Sequence, residues 1–378
     1  MLDRNQLLSA LEARASDFAR FDRARQQAMV RLQEALSRLE RRGFADLGLD
    51  GAPSPGALPT SELSQGLIRP FSAAFRHHPD ALTWAQQQLE GLTSFAADGS
   101  QFEPDNRYSL PVALIQVGSY ENRHQHEGAY RKETDLQVLT PSDLEGESSV
   151  KRLVDLARFE LELSTLIRFM RARDPGTPCL VFLDGSLIVS FAEKEAKDPQ
   201  ATRYVTGILS LLEASEETRT PLIAYVDGSR AKDLARMVTL AAGEPESPVT
   251  DAMLLEGRLG WGDRTAIFRC AREGILDTYG RYRRELAFCY LQTREDQAPA
   301  RLEFPAWMLE TIAPHLDAVR AEVIAGIGYP YTLAAADATA VLTHRDRDRF
   351  QRTLEDFLSQ QDIPLAFESK ALSKLRRR

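Results

Sequence analysis

Apolar residues near the start of the chain recur with heptad spacing. Two series repeat every seven positions and lie three positions apart: Leu8, Ala15, Met29 and Leu36, and Leu11, Phe18, Leu32 and Leu39. This pattern predicts one long helix over residues 2–42 that ends at Gly43. Such a helix fits either a coiled-coil hairpin or dimer arm, or a long helix that packs on its own domain.

The rest of the chain first clusters strand patterns and then alternates strands with helices. After a stretch rich in proline, glycine and serine and a helix near 79–91, the predicted elements are strands 93–101, 109–120 and 133–140, helix 149–172, strand 178–187, helix 199–217, strand 221–229 with a helix after it, strands within 284–294 and 300–309, and helices 312–327 and 332–360. This order predicts an α/β fold in which a mixed sheet is flanked by helices, an antiparallel meander preceding parallel βαβ units. The expected domains are an N-terminal helical region 1–91 with a linker near 50–66, an α/β domain 92–362 and a basic tail 363–378.

Three Asp-Gly-Ser sequences follow apolar runs, with the aspartates at positions 98, 184 and 227. In open α/β sheets, reactive groups collect beyond the carboxyl ends of the strands, and a glycine lets the backbone turn there. We therefore expect Asp98 and Asp184 to lie side by side at the ends of neighbouring strands. Two close carboxylates repel unless they share a proton or bind a cation, and oxygen ligands suit Mg²⁺ or Mn²⁺. Ordinary turn chemistry is the alternative, and we assign Asp227 to it.

A third acid is expected on the helix that precedes Asp184. The apolar stripe of this helix consists of Leu156, Phe159, Leu163, Leu166, Ile167 and Met170. Glu160 lies beside the stripe and is the preferred candidate, with Glu162 on the other flank as the second choice; a solvated glutamate is the alternative. His124 and His126 are further candidate metal ligands, although histidines on a hydrophilic loop are more often solvated.

Composition narrows the class of protein. The chain has 378 residues, a formal net charge of −8 and three scattered cysteines. The acidic balance argues against a passive nucleic-acid-coating protein but is compatible with an enzyme whose acidic site holds metal. The cysteine usage predicts a reducing cytoplasm, and no apolar run reaches the length of a membrane helix. The sequence has no GxxxxGK[ST] motif, which argues against ATP hydrolysis through a P-loop.

One segment mixes basic and aromatic residues in the manner of a nucleic-acid contact. Arg281 and Arg283 alternate with Tyr279 and Tyr282. Interleaved cations and aromatic rings suit single-stranded DNA. A solvated entry into the following strand explains the same pattern.

Four motifs in fixed order resemble the NurA nuclease family, the partners of the hexameric HerA translocase. They are "FAADGS" at 95–100, "LVFLDGSL" at 180–187 after a helix that carries an acid, "IAYVDGSRAKDL" at 223–234 and "GYPYTLAAADATAVL" at 328–342. Each motif alone is weak, and the ordered set is fairly specific. The resemblance implies an RNase H-like core, Mn²⁺-dependent resection of DNA ends, a homodimer and docking on a HerA-type ring.

The resemblance also implies roles for individual residues. Asp98 and Asp184 match the metal-binding aspartates, Glu160 is the best match to the helix glutamate, and Tyr329 matches a tyrosine near the site. Asp337 stands where the family usually has a histidine; an aspartate can bind the second metal but cannot act as an imidazole would. In addition, Ser229 and Arg230 match a polar loop that touches phosphate.

These observations lead to a functional hypothesis with two alternatives. The chain is expected to be a metal-dependent deoxyribonuclease, an exonuclease or endonuclease for DNA end resection in double-strand break repair. It would work with a HerA-type ATPase and hydrolyse phosphodiesters with two Mn²⁺ ions, Mg²⁺ being the alternative metal. The alternatives are an actin-like nucleotide-binding ATPase and a non-catalytic adaptor of the translocase.

Overall fold

The structure, a computed structural model, describes residues 2–49, 51–105, 108–125, 130–145, 149–191 and 199–364. Its helices are α1 Arg4–Glu12, α2 Ala15–Arg41, α3 His78–Leu89, α4 Val150–Ala172, α5 Pro199–Thr218, α6 Asp233–Ala242, α7 Asp251–Leu254, α8 Ile312–Ala325, α9 Tyr331–Ala340 and α10 His344–Gln360. Its strands are β1 Gly56–Pro59, β2 Ile68–Arg69, β3 Thr93–Phe102, β4 Ala113–Asn122, β5 Tyr130–Leu139, β6 Cys179–Asp184, β7 Leu222–Val226, β8 Arg264–Thr265, β9 Phe268–Ala271, β10 Leu286–Leu291 and β11 Ala300–Pro305. Most of the basic tail predicted at 363–378 lies outside the described residues.

The chain forms two compact units, each built from separated segments. Met1–Ala73 and Val226–Ala306 make the first unit, and Ala74–Tyr225 with Trp307–Arg378 make the second. These units do not coincide with the predicted contiguous segments 1–91 and 92–362. The reason is strand pairing between distant residues, since β1 pairs antiparallel with β9.

The second unit contains a mixed sheet with the strand order β5-β4-β3-β6-β7. β3, β4 and β5 pair antiparallel, and β6 and β7 run parallel to β3. An antiparallel meander of three strands joined at its first strand to two parallel strands is the RNase H-like arrangement. The predicted fold class, a mixed sheet flanked by helices, is therefore confirmed.

Helices cover both faces of β3. The position of Gly99 faces α4, where an added Cβ would meet Arg158 and Glu162, whereas the next residue, Ser100, donates a hydrogen bond to the Ala340 carbonyl of α9. Because side chains alternate along a strand, α4 and α9 lie on opposite faces. Strand β6 is buried from Cys179 to Leu183, as expected of a central parallel strand.

The N-terminal helix differs from its prediction in two ways. It is interrupted at residues 13–14, so that α1 and α2 replace the single helix expected over 2–42. The second half of α2 packs against α6 and α7 in the first unit through Ala28, Leu32, Ala35, Leu36 and Leu39. The earlier apolar positions, which include Leu8, Leu11 and Phe18, are exposed. The stripe thus divides into a packed half and an open half.

Three further predictions about local structure are wrong. The segment predicted as a linker contains β1, whose Ala57 is fully buried, because pairing with β9 orders it. Asp98-Gly99-Ser100 is not a turn, because β3 continues through it and pairs with β4 as far as Phe102. The helix predicted over 332–360 is two helices, α9 and α10, with Thr343 as the side-chain cap that begins the second.

No described helix is both long enough and apolar enough to cross a membrane.

Candidate active site

Asp98 and Asp184 lie on adjacent parallel strands at matching positions. The register of β3 and β6 pairs Ala96 with Phe182, and two more residues along each strand bring Asp98 level with Asp184. Gly185 then turns the chain with a φ of +117°, a conformation that favours glycine. The side-by-side placement expected from the two Asp-Gly sequences is what the structure shows.

Asp337 joins this pair from helix α9. Its carboxyl group lies close enough to Asp98 to raise the pKa of that residue. The C-terminal end of α9 is attached to the sheet. The Ala340 carbonyl accepts one hydrogen bond from the Ser100 hydroxyl and another, of 3.0 Å, from the side chain of Gln116. These contacts hold the helix that carries Asp337 against the strand that carries Asp98.

Glu162 approaches β3 from its other face, on α4, near enough for charge interactions with Asp98 and Asp184. It is 8% exposed, and its Oε1 accepts a hydrogen bond of 2.5 Å from Nη1 of Arg158, one helical turn earlier. The same guanidinium donates to the Gly99 carbonyl at 3.3 Å and to Gln101 at 3.2 Å. Gly99 permits this approach, because a Cβ at that position would lie 2.5 Å from the Glu162 carboxylate.

The preferred helix acid, Glu160, lies elsewhere. Both of its carboxylate oxygens accept hydrogen bonds from Arg203 of α5, the shorter distance being 2.5 Å, and the pair is partly exposed. The helical phase chosen from the sequence is therefore corrected, and Glu162, the second choice, is the α4 acid whose charge interacts with the aspartates. The physical reason is that α4 buries two faces: Phe159 and Leu163 pack towards Gly207 of α5 rather than against the sheet.

The pKa values of the cluster reflect burial and the closeness of like charges. Burial and the neighbouring Asp184 and Asp337 carboxyl groups raise the pKa of Asp98 to about 6. Burial raises the pKa of Glu162 to about 7, and the ion pair with Arg158 offsets only part of this shift. Burial and neighbouring carboxyl groups therefore disfavour the ionised form of both side chains.

Tyr329 lies at the edge of the cluster. Its hydroxyl donates a hydrogen bond of 2.9 Å to Oδ2 of Asp184. Its ring meets the ring of Tyr225 edge-on, with centroids 5.0 Å apart, and Tyr225 is the β7 residue opposite Asp184. The tyrosine predicted near the site thus contacts one of the predicted aspartates.

The predicted DNA contacts lie in the first unit, whereas the carboxylates lie in the second. Ser229 accepts a hydrogen bond from the Ala231 amide within the turn, and Arg230 is exposed. Arg283 forms an ion pair with Asp277 at 2.8 Å. The Arg281 guanidinium lies 4.6 Å from the ring centroid of Tyr282. Because Tyr279 and Tyr282 are both buried, the aromatic part of the predicted single-strand contact is wrong.

A buried polar group at the start of α9 escaped the sequence analysis. Glu322 of α8 is fully buried and accepts hydrogen bonds from the amide and hydroxyl of Thr332, at 2.8 and 2.9 Å. Ser94 donates to it at 2.7 Å, and His124 lies 3.2 Å from it. His124 is therefore not a solvated loop histidine, and His126 lies outside the described residues. The signal for this role in the sequence is slight: Glu322 lies in the segment 318–324, which is apolar except for Arg320 and Glu322 itself.

The residues of the cluster fit a divalent cation by their chemistry. Asp98, Glu162, Asp184 and Asp337 supply oxygen donors alone, the ligands that Mg²⁺ and Mn²⁺ prefer. The raised pKa values of two of them mark charge that a cation would neutralise. Among the described residues, no three acidic, histidine or cysteine side chains converge on one metal position. Glu162 is instead held by Arg158, and Asp184 by Tyr329.

The RNase H-like sheet brings Asp98 and Asp184 together on adjacent parallel strands, with Asp337 and Glu162 near them. A family model described as the NurA domain matches residues 92–342, which is more than half of the chain. The chain therefore belongs to the NurA family, and its class, a nuclease, agrees with the expectation from the sequence. No curated protein matches it.

Several solved structures show a distant likeness. A crystal structure of NurA with manganese is 11% identical, with a TM-score of 0.44, and the match covers 72% of this chain and 89% of that one. A second crystal structure of NurA is 10% identical, with a TM-score of 0.45 and coverage of 74% and 95%. The catalytic domain of human endonuclease V is 12% identical, with a TM-score of 0.35 and coverage of 85% and 98%.

Proposed function

We propose that this nuclease is a metal-dependent deoxyribonuclease that acts on DNA ends with Mn²⁺, or with Mg²⁺ as the alternative. The observation that carries the proposal is the group formed by Asp98, Glu162, Asp184 and Asp337. Its members come from two strands and two helices, and their mutual repulsion is a cost to the fold that a bound cation removes. When bound, divalent cations would stabilise negative charge on the phosphate and acidify a water molecule.

The chain's own residues have distinct proposed roles. Asp98 and Asp184, fixed by strand backbone, would be the principal metal ligands. Asp337 would complete the set from α9, in the place that a histidine usually occupies in the family. Glu162, rather than Glu160, would be the helix ligand, and it must first exchange its ion pair with Arg158 for the cation.

Tyr329 and the basic residues have proposed roles outside the ligand set. The Tyr329 hydroxyl donates its one proton to Asp184 and would thereby orient that carboxylate at the edge of the cluster; donation to a phosphate oxygen would require this bond to break. Ser229 and the exposed side chains of Arg230, Arg281 and Arg283 are proposed phosphate contacts. Their effect on binding would be independent of base sequence and sensitive to salt.

The biological setting that we propose is DNA end resection during double-strand break repair by homologous recombination in the cytoplasm. A chain with a net charge of −8 and no P-loop has no obvious means of moving along a polyanion. A HerA-type hexameric ATPase that feeds DNA to a homodimer of this chain supplies that motion. The proposal rests on the family membership and on the charge of the chain.

The deciding experiment is incubation of the purified chain with Mn²⁺ and end-labelled DNA. We expect cleavage that EDTA abolishes and that Asp98→Asn removes. DNA binding by the variant in EDTA serves as the control for folding. Unchanged cleavage by Asp98→Asn, or cleavage in EDTA, would exclude the proposed site; ATP hydrolysis without cleavage would favour the actin-like alternative.

The partner is tested separately by a pull-down with a HerA-type ATPase, followed by digestion of a long duplex. We expect a complex and faster digestion with ATP than with a non-hydrolysable analogue. A chain that cuts DNA but forms no complex is an autonomous nuclease, and the partner is then removed from the proposal.

A further inference from the structure

A group of aromatic rings and one lysine lies beside α9 in the second unit. The rings of Tyr120 and Tyr130 stack at 5.8 Å between centroids, and Tyr331 meets Tyr120 edge-on at 5.9 Å. The ammonium group of Lys132 lies 5.7 Å from the Tyr120 ring centroid and 6.0 Å from that of Tyr130. We call Tyr120, Tyr130, Lys132 and Tyr331 the aromatic platform.

The aromatic platform contains one buried ring and two rings that are exposed to solvent. Tyr120 is buried, and its ring is in edge-on contact with the ring of Tyr331. Tyr130 is 62% exposed and Tyr331 is 42% exposed. Aromatic rings that are held in place by a buried neighbour and have an exposed face can stack on a ligand with little loss of conformational entropy.

The platform adjoins the carboxylate cluster along the same strands. Lys132 is opposite Tyr120 in the β4–β5 pair, and Tyr120 lies two residues from Gly118, the β4 residue opposite Asp98. Two strand residues correspond to roughly 7 Å. Helix α9 links the two sites as well, since Tyr331 is its first residue and Asp337 is a later one.

A cavity of about 570 Å³ opens beside Tyr331. Its lining combines apolar residues and Glu90 with four amide side chains and a histidine: Gln86, Gln87, Asn122, Gln125 and His124. Amide groups offer both donors and acceptors, as the edges of unpaired bases require. The volume lies in the range of small-ligand sites and exceeds what one base needs.

From these observations we propose that the aromatic platform binds single-stranded nucleic acid next to the carboxylate cluster. Bases stack on Tyr130 and Tyr331, Lys132 contacts the backbone phosphate, and a base edge enters the amide-lined cavity. Stacking on exposed rings with a nearby cation is the usual basis of sequence-independent single-strand binding. The inference rests on the proposed nuclease function, which it deepens by naming the form of substrate that approaches the site.

The platform replaces the contact expected at 279–284. There the tyrosines are buried, whereas Tyr130 and Tyr331 have open faces. A protein partner is the competing occupant of any exposed aromatic surface. The lysine held over two rings favours a polyanion, because the ammonium group offers phosphate a counter-charge.

The test is fluorescence anisotropy of a labelled dT oligonucleotide of about 15 nucleotides in EDTA, where cleavage is absent. We expect Tyr130→Ala and Tyr331→Ala each to weaken binding roughly 5- to 100-fold, and Tyr130→Trp to retain it. Lys132→Gln should lower the slope of log affinity against log salt by about 0.7. An rU oligonucleotide should show the same losses, since stacking does not require a particular sugar.

Matched controls separate the platform from general surface effects. Phe357→Ala removes another exposed ring, on α10, and Arg131→Gln removes the charge beside Lys132 that points to the opposite face of β5. Both should bind like the parent. Thermal melting identifies any unfolded variant. If Tyr331→Ala proves to be unfolded, the result for Tyr130→Ala, which lies on an exposed strand, decides the test.

The result that overturns the inference is binding by both tyrosine variants within about twofold of the parent. Unchanged binding with an altered oligomeric state in light scattering would make the platform a protein interface and would overturn it as well. A chain that binds through the platform but never cuts DNA keeps this inference and loses the nuclease proposal, so the two failures are distinguishable.

Discussion

Asp98 and Asp184 lie level with each other on adjacent strands and repel each other, and their removal is expected to have different effects on activity and on stability. We expect Asp98→Asn and Asp184→Asn each to lower Mn²⁺-dependent cleavage by at least about 100-fold, because each removes a proposed metal ligand. The metal-free melting temperature should stay the same or rise, because like charges are removed. Nuclease assays and thermal melts in EDTA measure the two effects. Active variants, or variants that melt well below the parent, would contradict the prediction.

The two glutamates of α4 offer a matched pair at the same scale. Glu162→Gln keeps the size of the side chain and removes its charge beside the aspartates, so we expect cleavage to fall by about 100-fold. Glu160→Gln breaks a partly exposed ion pair with Arg203, which is worth at most about 1 kcal/mol, and should cleave like the parent. Parallel nuclease assays compare them. The reverse order of effects would restore Glu160 as the helix acid.

At the scale of elements, α9 is attached at both ends, and Glu322 holds its start. Burial tends to raise the pKa of Glu322, but hydrogen bonds from His124, Ser94 and the Thr332 amide outweigh it, and the pKa lies below its ordinary value. A carboxyl group whose pKa is lowered on folding stabilises the folded state at pH values above its ordinary pKa of about 4.5. This stabilisation is lost as the pH falls through the pKa of the folded state.

Glu322→Gln should therefore lower the melting temperature by several degrees at pH 7, since a buried charged acceptor is replaced by a neutral group. Between about pH 5 and pH 3 the parent should lose more stability than the variant does. Melting curves across this range test the prediction. A variant with the parental acid dependence would show that Glu322 does not contribute through its charge.

At the scale of the whole molecule, the open half of the N-terminal stripe predicts self-association. Phe18 is 60% exposed, and Leu8 and Leu11 also face solvent in the single chain. Apolar residues at heptad spacing are normally buried against another helix, and we expect the same helix of a second copy of the chain to bury them in a homodimer. We expect Phe18→Glu to shift the mass in light scattering from dimer to monomer, while Phe357→Glu on α10 leaves it unchanged. A parental chain that is monomeric at tens of micromolar would count against the dimer.

The sequence patterns located most elements because apolar runs and capping residues act locally. The strands that became β6 and β7, the pair β10 and β11, and helices α4 and α5 all lie within a few residues of their predicted bounds. Errors appeared where distant segments meet. The stretch 50–66 has a loop-like composition but becomes ordered by pairing with β9, and 98–100 resembles a turn but remains in β3 because β4 pairs with it.

For the candidate site, the sequence by itself indicated that Asp98 and Asp184 lie side by side, because each follows a buried apolar run, and the ordered motifs of the family added the tyrosine. Tertiary structure decided the rest. Helical periodicity shows that a face is buried but not which neighbour buries it, so only the packing of α4 between α5 and the sheet separates Glu162 from Glu160. The same holds for Glu322 and for the aromatic platform, whose members are far apart in the chain and meet only because β4, β5 and α9 pack together.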